Sequence, residues 1–69
     1  MTDLVKILAS IKSLTKKGFT IINARTISID SGIAARELEL LMLGLDAKGY
    51  ISVTSAGMVS LTRKGMEAI

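Results

Sequence analysis

The sequence contains no cysteine, no histidine and no proline. Without cysteine there is no disulfide to staple a small core and no thiolate to hold a metal. Without histidine, the usual general base at neutral pH and the commonest metal ligand are both missing. The six carboxylates are scattered along the chain and form no paired constellation. This inventory points away from an enzyme and calls for no cofactor. No low-complexity segment, linker or internal repeat interrupts the chain. No apolar run approaches the roughly 20 residues that span a bilayer. Residues 1–17 alternate lysines with apolar positions, which is not the layout of a signal peptide. The expectation is a cytoplasmic protein with no membrane partner.

What is present is apolar surface. The 69 residues make one small domain, 49% of them apolar, with a mean hydropathy of +0.51. A chain this short has a marginal core unless something is added to it. The apolar surplus therefore points to self-association, with a two-fold homodimer as the expected form. The net charge is +3 and the isoelectric point is near 9.6. That balance permits attraction to nucleic-acid phosphates without requiring it.

Thr2 or Asp3 can cap a first helix whose buried stripe is Leu4, Ile7, Leu8, Ile11 and Leu14, with Lys6, Lys12, Lys16 and Lys17 off the stripe. Gly18 stops it. Phe19-Thr20-Ile21-Ile22 is short and β-prone, and alternation would turn Phe19 and Ile21 inward. Asn23 can cap a second helix that holds Ile27 and Ile29 and ends at Ser31. Gly32 then allows a sharp turn with positive φ, and Ile33 plugs the corner. A third helix runs from about Ala34 to Lys48, with Ala34, Leu38, Leu41, Met42 and Leu45 as its core stripe. Two alternating runs, Tyr50 to Ser55 and Met58 to Leu61, flank Ala56-Gly57 and read as a hairpin. Ile51, Val53, Val59 and Leu61 should face the helices. Thr62 can cap a final helix over residues 63–69, where Met66 and Ile69 can pack together.

Ile27, Ser28, Gly32, Leu38 and Leu41 together resemble the helix-turn-helix motif: a large apolar residue, a small one, a glycine at the turn, then two spaced apolar residues. Lys48-Gly49-Tyr50-Ile51 and Leu61-Thr62-Arg63-Lys64-Gly65 resemble the steps into and out of the wing in winged helix-turn-helix proteins of the small prokaryotic transcription-regulator type. The resemblance covers nearly the whole chain. It implies an α+β fold, mainly helical with a small sheet, in the order helix, strand, helix, helix, strand, strand, helix. The helix-turn-helix would occupy 24–48 and the wing 50–62. It also implies a transcriptional regulator that binds double-stranded DNA. The positions matching base-reading sites are Ala34, Ala35, Arg36, Glu39, Leu40 and Leu43, while Lys16, Lys17, Arg25, Arg63 and Lys64 would meet phosphates.

The residues at those positions leave two readings open. Arg36 offers the fork that reads guanine, Glu39 can accept from a cytosine amine, and Ala35 can touch a thymine methyl. Yet Glu37 and Glu39 repel phosphate, and the wing tip, Thr54 to Gly57, carries no charge. If the core stripe is right, Arg36, Leu40, Leu43 and Ala47 point outward. A helix apolar on both faces is normally covered on both. A different rotational phase would instead make some of these leucines core. The alternative to a DNA-binding regulator is thus a winged helix used as a protein-interaction module, with Leu40 and Leu43 meeting the partner. In the DNA-binding case, Val5, Met66 and Ile69 are the candidates to cross a dimer interface.

Overall fold

Large aliphatic residues recur every third or fourth position near the N-terminus. In the computed structural model, which describes residues 3–69, that stretch is helix α1 (Asp3–Lys16). Thr2, one of the two expected caps, lies outside the described residues, and Asp3 is the acidic residue of the first turn. Ile7, Leu8, Ile11 and Leu14 are buried, and Leu4 packs partly buried against them. Each such side chain contributes about 1.5–3 kcal/mol by leaving water. One polar residue shares the buried face. Ser10 is 5% exposed and donates from Oγ to Asp30 Oδ2 at 2.5 Å. Lys17 Nζ stands 3.8 Å from the other oxygen of Asp30, so one carboxylate ties both ends of this contact together.

Helix α2 (Ala24–Ser31) starts where Asn23, in an extended conformation, accepts from the Thr26 backbone N–H at 2.9 Å. It ends at Gly32, whose φ of 77° is left-handed and whose N–H reaches Ser28 C=O. A side chain at that φ would be strained. The hydroxyl of Ser28 donates to the Ile33 carbonyl at 2.6 Å, and Ser31 Oγ accepts from the Ile33 N–H at 3.2 Å. These bonds hold the corner so that Ile33 can bury its side chain. Helix α3 (Ala35–Ala47) follows. Its inward residues are Leu38, Met42 and Leu45, with Leu41 partly buried beside them. Ala34, expected in that stripe, is exposed. It takes the N-cap position with ψ near 139°, so the helical phase that would carry it inward begins one residue later.

Two short strands form an antiparallel hairpin, β1 (Ile51–Val53) and β2 (Val59–Leu61). The register pairs Ile51 with Leu61 and Val53 with Val59. Ile51 and Val59 are buried and Leu61 half-buried, whereas Val53 is exposed. Val53, expected to face the helices, lies instead at the end of the ladder beside the turn, at the rim of an open depression with Met42, Leu43 and Asp46 of α3, and stays exposed. Helix α4 (Arg63–Glu67) is capped by Thr62, whose hydroxyl accepts from the Gly65 N–H and donates to the Gly49 carbonyl. It is shorter than expected and leaves Ala68 and Ile69 outside the helix.

The element order is α1, α2, α3, β1, β2, α4, so the chain is mainly helical with a two-stranded sheet. The expected first strand at 19–22 is absent. One backbone bond stands in its place, from the Val59 N–H to the Ile22 carbonyl at 2.7 Å. The inward residue there is Ile22, while Phe19 and Ile21 are 49% and 61% exposed. Only four residues join Gly18 to the cap at Asn23, and the cap must be extended to present its side chain. That leaves room for one contact with the hairpin and inverts the expected alternation.

Glycine at 65 has a specific cause. A Cβ there would stand 2.0 Å from the Tyr50 carbonyl oxygen and 3.2 Å from a Leu61 methyl. The same carbonyl accepts from the Thr62 N–H, so α4 is seated directly on the backbone at the exit from α3.

Candidate functional site

Helix α3 presents two faces. Leu38 and Leu45 are essentially inaccessible, while Leu40 and Leu43 are each 68% exposed. The phase inferred from the sequence is the one adopted, and neither outer leucine is core. Arg36, Glu37, Glu39 and Ala47 are exposed with them. At the start of the helix no side chain caps the backbone. The first-turn N–H groups, and the positive end of the dipole, therefore open outward with Ala34, Ala35 and Arg36 around them.

The beginning of α3 lies beside two other elements. Ala35 and Glu39 share an open groove of about 500 Å³ with Asn23, Arg25, Ser28 and Ile29 of α2 and its cap, and with Ala56 and Gly57 at the hairpin tip. Residues far apart in sequence are gathered here because Gly32 folds α2 back on α3, and β1 returns along α3 to bring the turn alongside. The groove walls bring Arg25, Ala35 and Glu39 together from the sequence-derived set. Arg36 is exposed in the same first turn of α3.

The other cations divide differently. Lys16 lies with Lys12, Ser60, Leu61 and Met66 on the α4 side of α1, whereas Lys17 lies on the α2 side and approaches Asp30. Their separate neighbours keep the two side chains from acting as one cluster. Lys64 Nζ donates to the Lys48 carbonyl at 2.9 Å and sits 4.8 Å from the centre of the Tyr50 ring. Arg63 approaches Glu67 at 3.6 Å, a fully solvated pair of small energetic weight. Among the described residues, Arg25 and Arg36 are the arginines without an ion pair.

Two residues of this region were not assigned a surface role from the sequence. Ile29 is 77% exposed and Phe19 49%, and they wall a second depression with Lys17 and Arg25. The signal for Ile29 was present: Ala24, Ile27 and Ser31 form the inward stripe of α2 at helical spacing, which turns Ile29 outward. Met66 and Ile69 are exposed at 57% and 38%, and Val5 at 38%. Among the described residues there is no group of three or more acidic side chains placed to hold a metal ion, and no helix is long and apolar enough to cross a membrane.

Comparison with protein families, with curated proteins and with solved structures found no match. The reading of this face rests on its own geometry.

Proposed function

We propose that the chain is a winged helix-turn-helix protein that binds double-stranded DNA and acts as a cytoplasmic transcriptional regulator rather than as an enzyme. The observation that carries this reading is the shared groove: the first turn of α3, the start of α2 and the hairpin tip line one surface. An α-helix fits the major groove, and an uncapped helix start adds backbone donors and a favourable dipole end for phosphate. Arg25 and Arg36 flank this surface and are not engaged in ion pairs. In this reading Arg36 reads a base, with Ala35 and Glu39 beside it, and Arg25 meets a phosphate. Lys16, Lys17, Arg63 and Lys64 have lesser parts, since they are dispersed or already engaged.

Fluorescence anisotropy with mixed-sequence and selected duplexes, over a range of salt, tests the proposal. Arg36→Ala should cost about 1–3 kcal/mol on the preferred sequence and relax preference at one base pair. Arg25→Ala should weaken all sequences alike and lower the salt slope by about 0.9. Absence of binding at low salt, or binding indifferent to salt and to Arg36→Ala, would overturn it.

One observation favours a second reading, a winged helix that serves as a protein-interaction module. Leu40 and Leu43 are exposed on a helix that also carries Glu37, Glu39 and Asp46, a composition suited to a protein partner more than to phosphate. Leu40→Glu with Leu43→Glu should then abolish partner binding and leave the fold intact.

A further inference from the structure

Three depressions on the surface adjoin one another. The central groove has Arg25, Ile29 and Glu39 in its walls. Arg25 and Ile29 also wall the depression that contains Lys17 and Phe19. Glu39 also walls the one that contains Leu43, Asp46 and Val53. The shared walls make the three a continuous belt.

The two ends of the belt are both apolar and opposite in charge. At one end Phe19 and Ile29 are 49% and 77% exposed. Lys17 is there turned to Asp30, which leaves Arg25 as the uncompensated cation. At the other end Leu43 and Val53 are 68% and 39% exposed, and Glu39 and Asp46 stand beside them with no cation in that wall.

We propose that this belt docks a second copy of the same chain. A two-fold axis lying in the contact plane, across the middle of the belt, exchanges its ends. The acidic apolar end of each copy then meets the basic apolar end of the other, and the complementary contact is made twice. Phe19 and Ile29 of one protomer would cover Leu43 of its partner, with Arg25 facing Glu39 across the junction. A second copy is the occupant because the chain itself supplies both halves of the complementarity. The self-docking stands apart from the DNA reading. Where that reading also holds, the dimer covers Arg25 and the central groove, so a second copy and duplex DNA exclude one another.

Sedimentation equilibrium of the full chain without DNA provides the test, with circular dichroism to verify that each variant folds. Every altered residue is solvent-exposed, so the fold should survive. Wild type should dimerise by high micromolar concentration, and Leu43→Asp should remain monomeric. Arg25→Glu and Glu39→Arg should each weaken association about tenfold, the scale of a close charge pair across an interface. The combination of the two should restore it, because the reversed pair forms again in both contacts. A monomeric wild type would overturn the proposal, as would a double reversal no better than either single change. So would association that survives Leu43→Asp but is lost in Met66→Asp, which would place the interface on α4. Since no DNA is present, failure here is distinct from failure of the DNA reading.

Discussion

Helices α1 and α3 are nearly equal in length, 14 and 13 residues, and they divide their apolar residues differently. In α1 the large aliphatics other than Val5 point into the core or lie at its margin, and its outer positions carry three lysines against one aspartate. In α3 the inward stripe is complete, yet Leu40 and Leu43 remain outside, next to one arginine and three carboxylates. Burial gains stability only for side chains that reach the core. The two outer leucines therefore contribute little to folding, and their cost is an exposed apolar surface. The lesson is that α1 serves the core, while α3 serves the core with one face and leaves an apolar face open to solvent on the other.

The sharpest test of that contrast sets inner against outer positions. Ile11→Ala in α1 and Leu38→Ala in α3 should each cost about 2–5 kcal/mol by leaving a cavity, enough to unfold much of so small a domain. Leu43→Ala should stay within about 0.5 kcal/mol. Urea unfolding of the three variants at low concentration, where association is absent, gives the values. A large loss for Leu43→Ala would break the comparison by placing that leucine in the core.

Two helical glycines extend it with a smaller effect. Gly44 in α3 has open space where a Cβ would stand, whereas a Cβ at Gly65 in α4 would strike the Tyr50 carbonyl. Gly65→Ala should destabilise by about 1–3 kcal/mol despite alanine's higher helix propensity. Gly44→Ala should stabilise by about 0.8–1 kcal/mol. Midpoints that shift the same way in both variants would contradict this account of the α4 seat.

The smallest expected effect concerns the start of α3. Ala34 supplies no side-chain cap, whereas Asn23 caps α2. Ala34→Ser should raise stability by roughly 0.5–1 kcal/mol, read as a shift in the denaturant midpoint. If the uncapped start contributes to DNA binding, the same change should also weaken affinity, since the serine oxygen would occupy a donor otherwise open to phosphate.

Much of the local structure was legible because its rules operate within four residues. The α1 stripe follows helical spacing. Asn23 and Thr62 cap N–H groups three residues ahead, and Gly32 marks the left-handed turn. The outward placement of Leu40 and Leu43 followed from the same spacing. The candidate groove was legible only in part. Arg25, Ala35 and Glu39 could be named from the motif, but their union with Ala56 and Gly57 depends on how the hairpin returns.

By itself the sequence determined the helices, the caps at Asn23 and Thr62, the turn between α2 and α3, and the inward stripes of α1 and α3 apart from Ala34. These follow from side-chain period and local hydrogen bonding. Only the tertiary structure decided that Ile22 and not Phe19 or Ile21 turns inward, because one bond to Val59 fixes that register. It alone set Ser10 against Asp30 across 20 residues of chain, although a serine on a buried helical face signals that a partner must exist. It alone turned Lys64 onto Tyr50 and Lys17 onto Asp30, so cations that look equivalent in the sequence are not equivalent on the surface. The physical reason is the same in each case. These contacts join residues whose separation is set by how whole elements pack, and no local propensity carries that information.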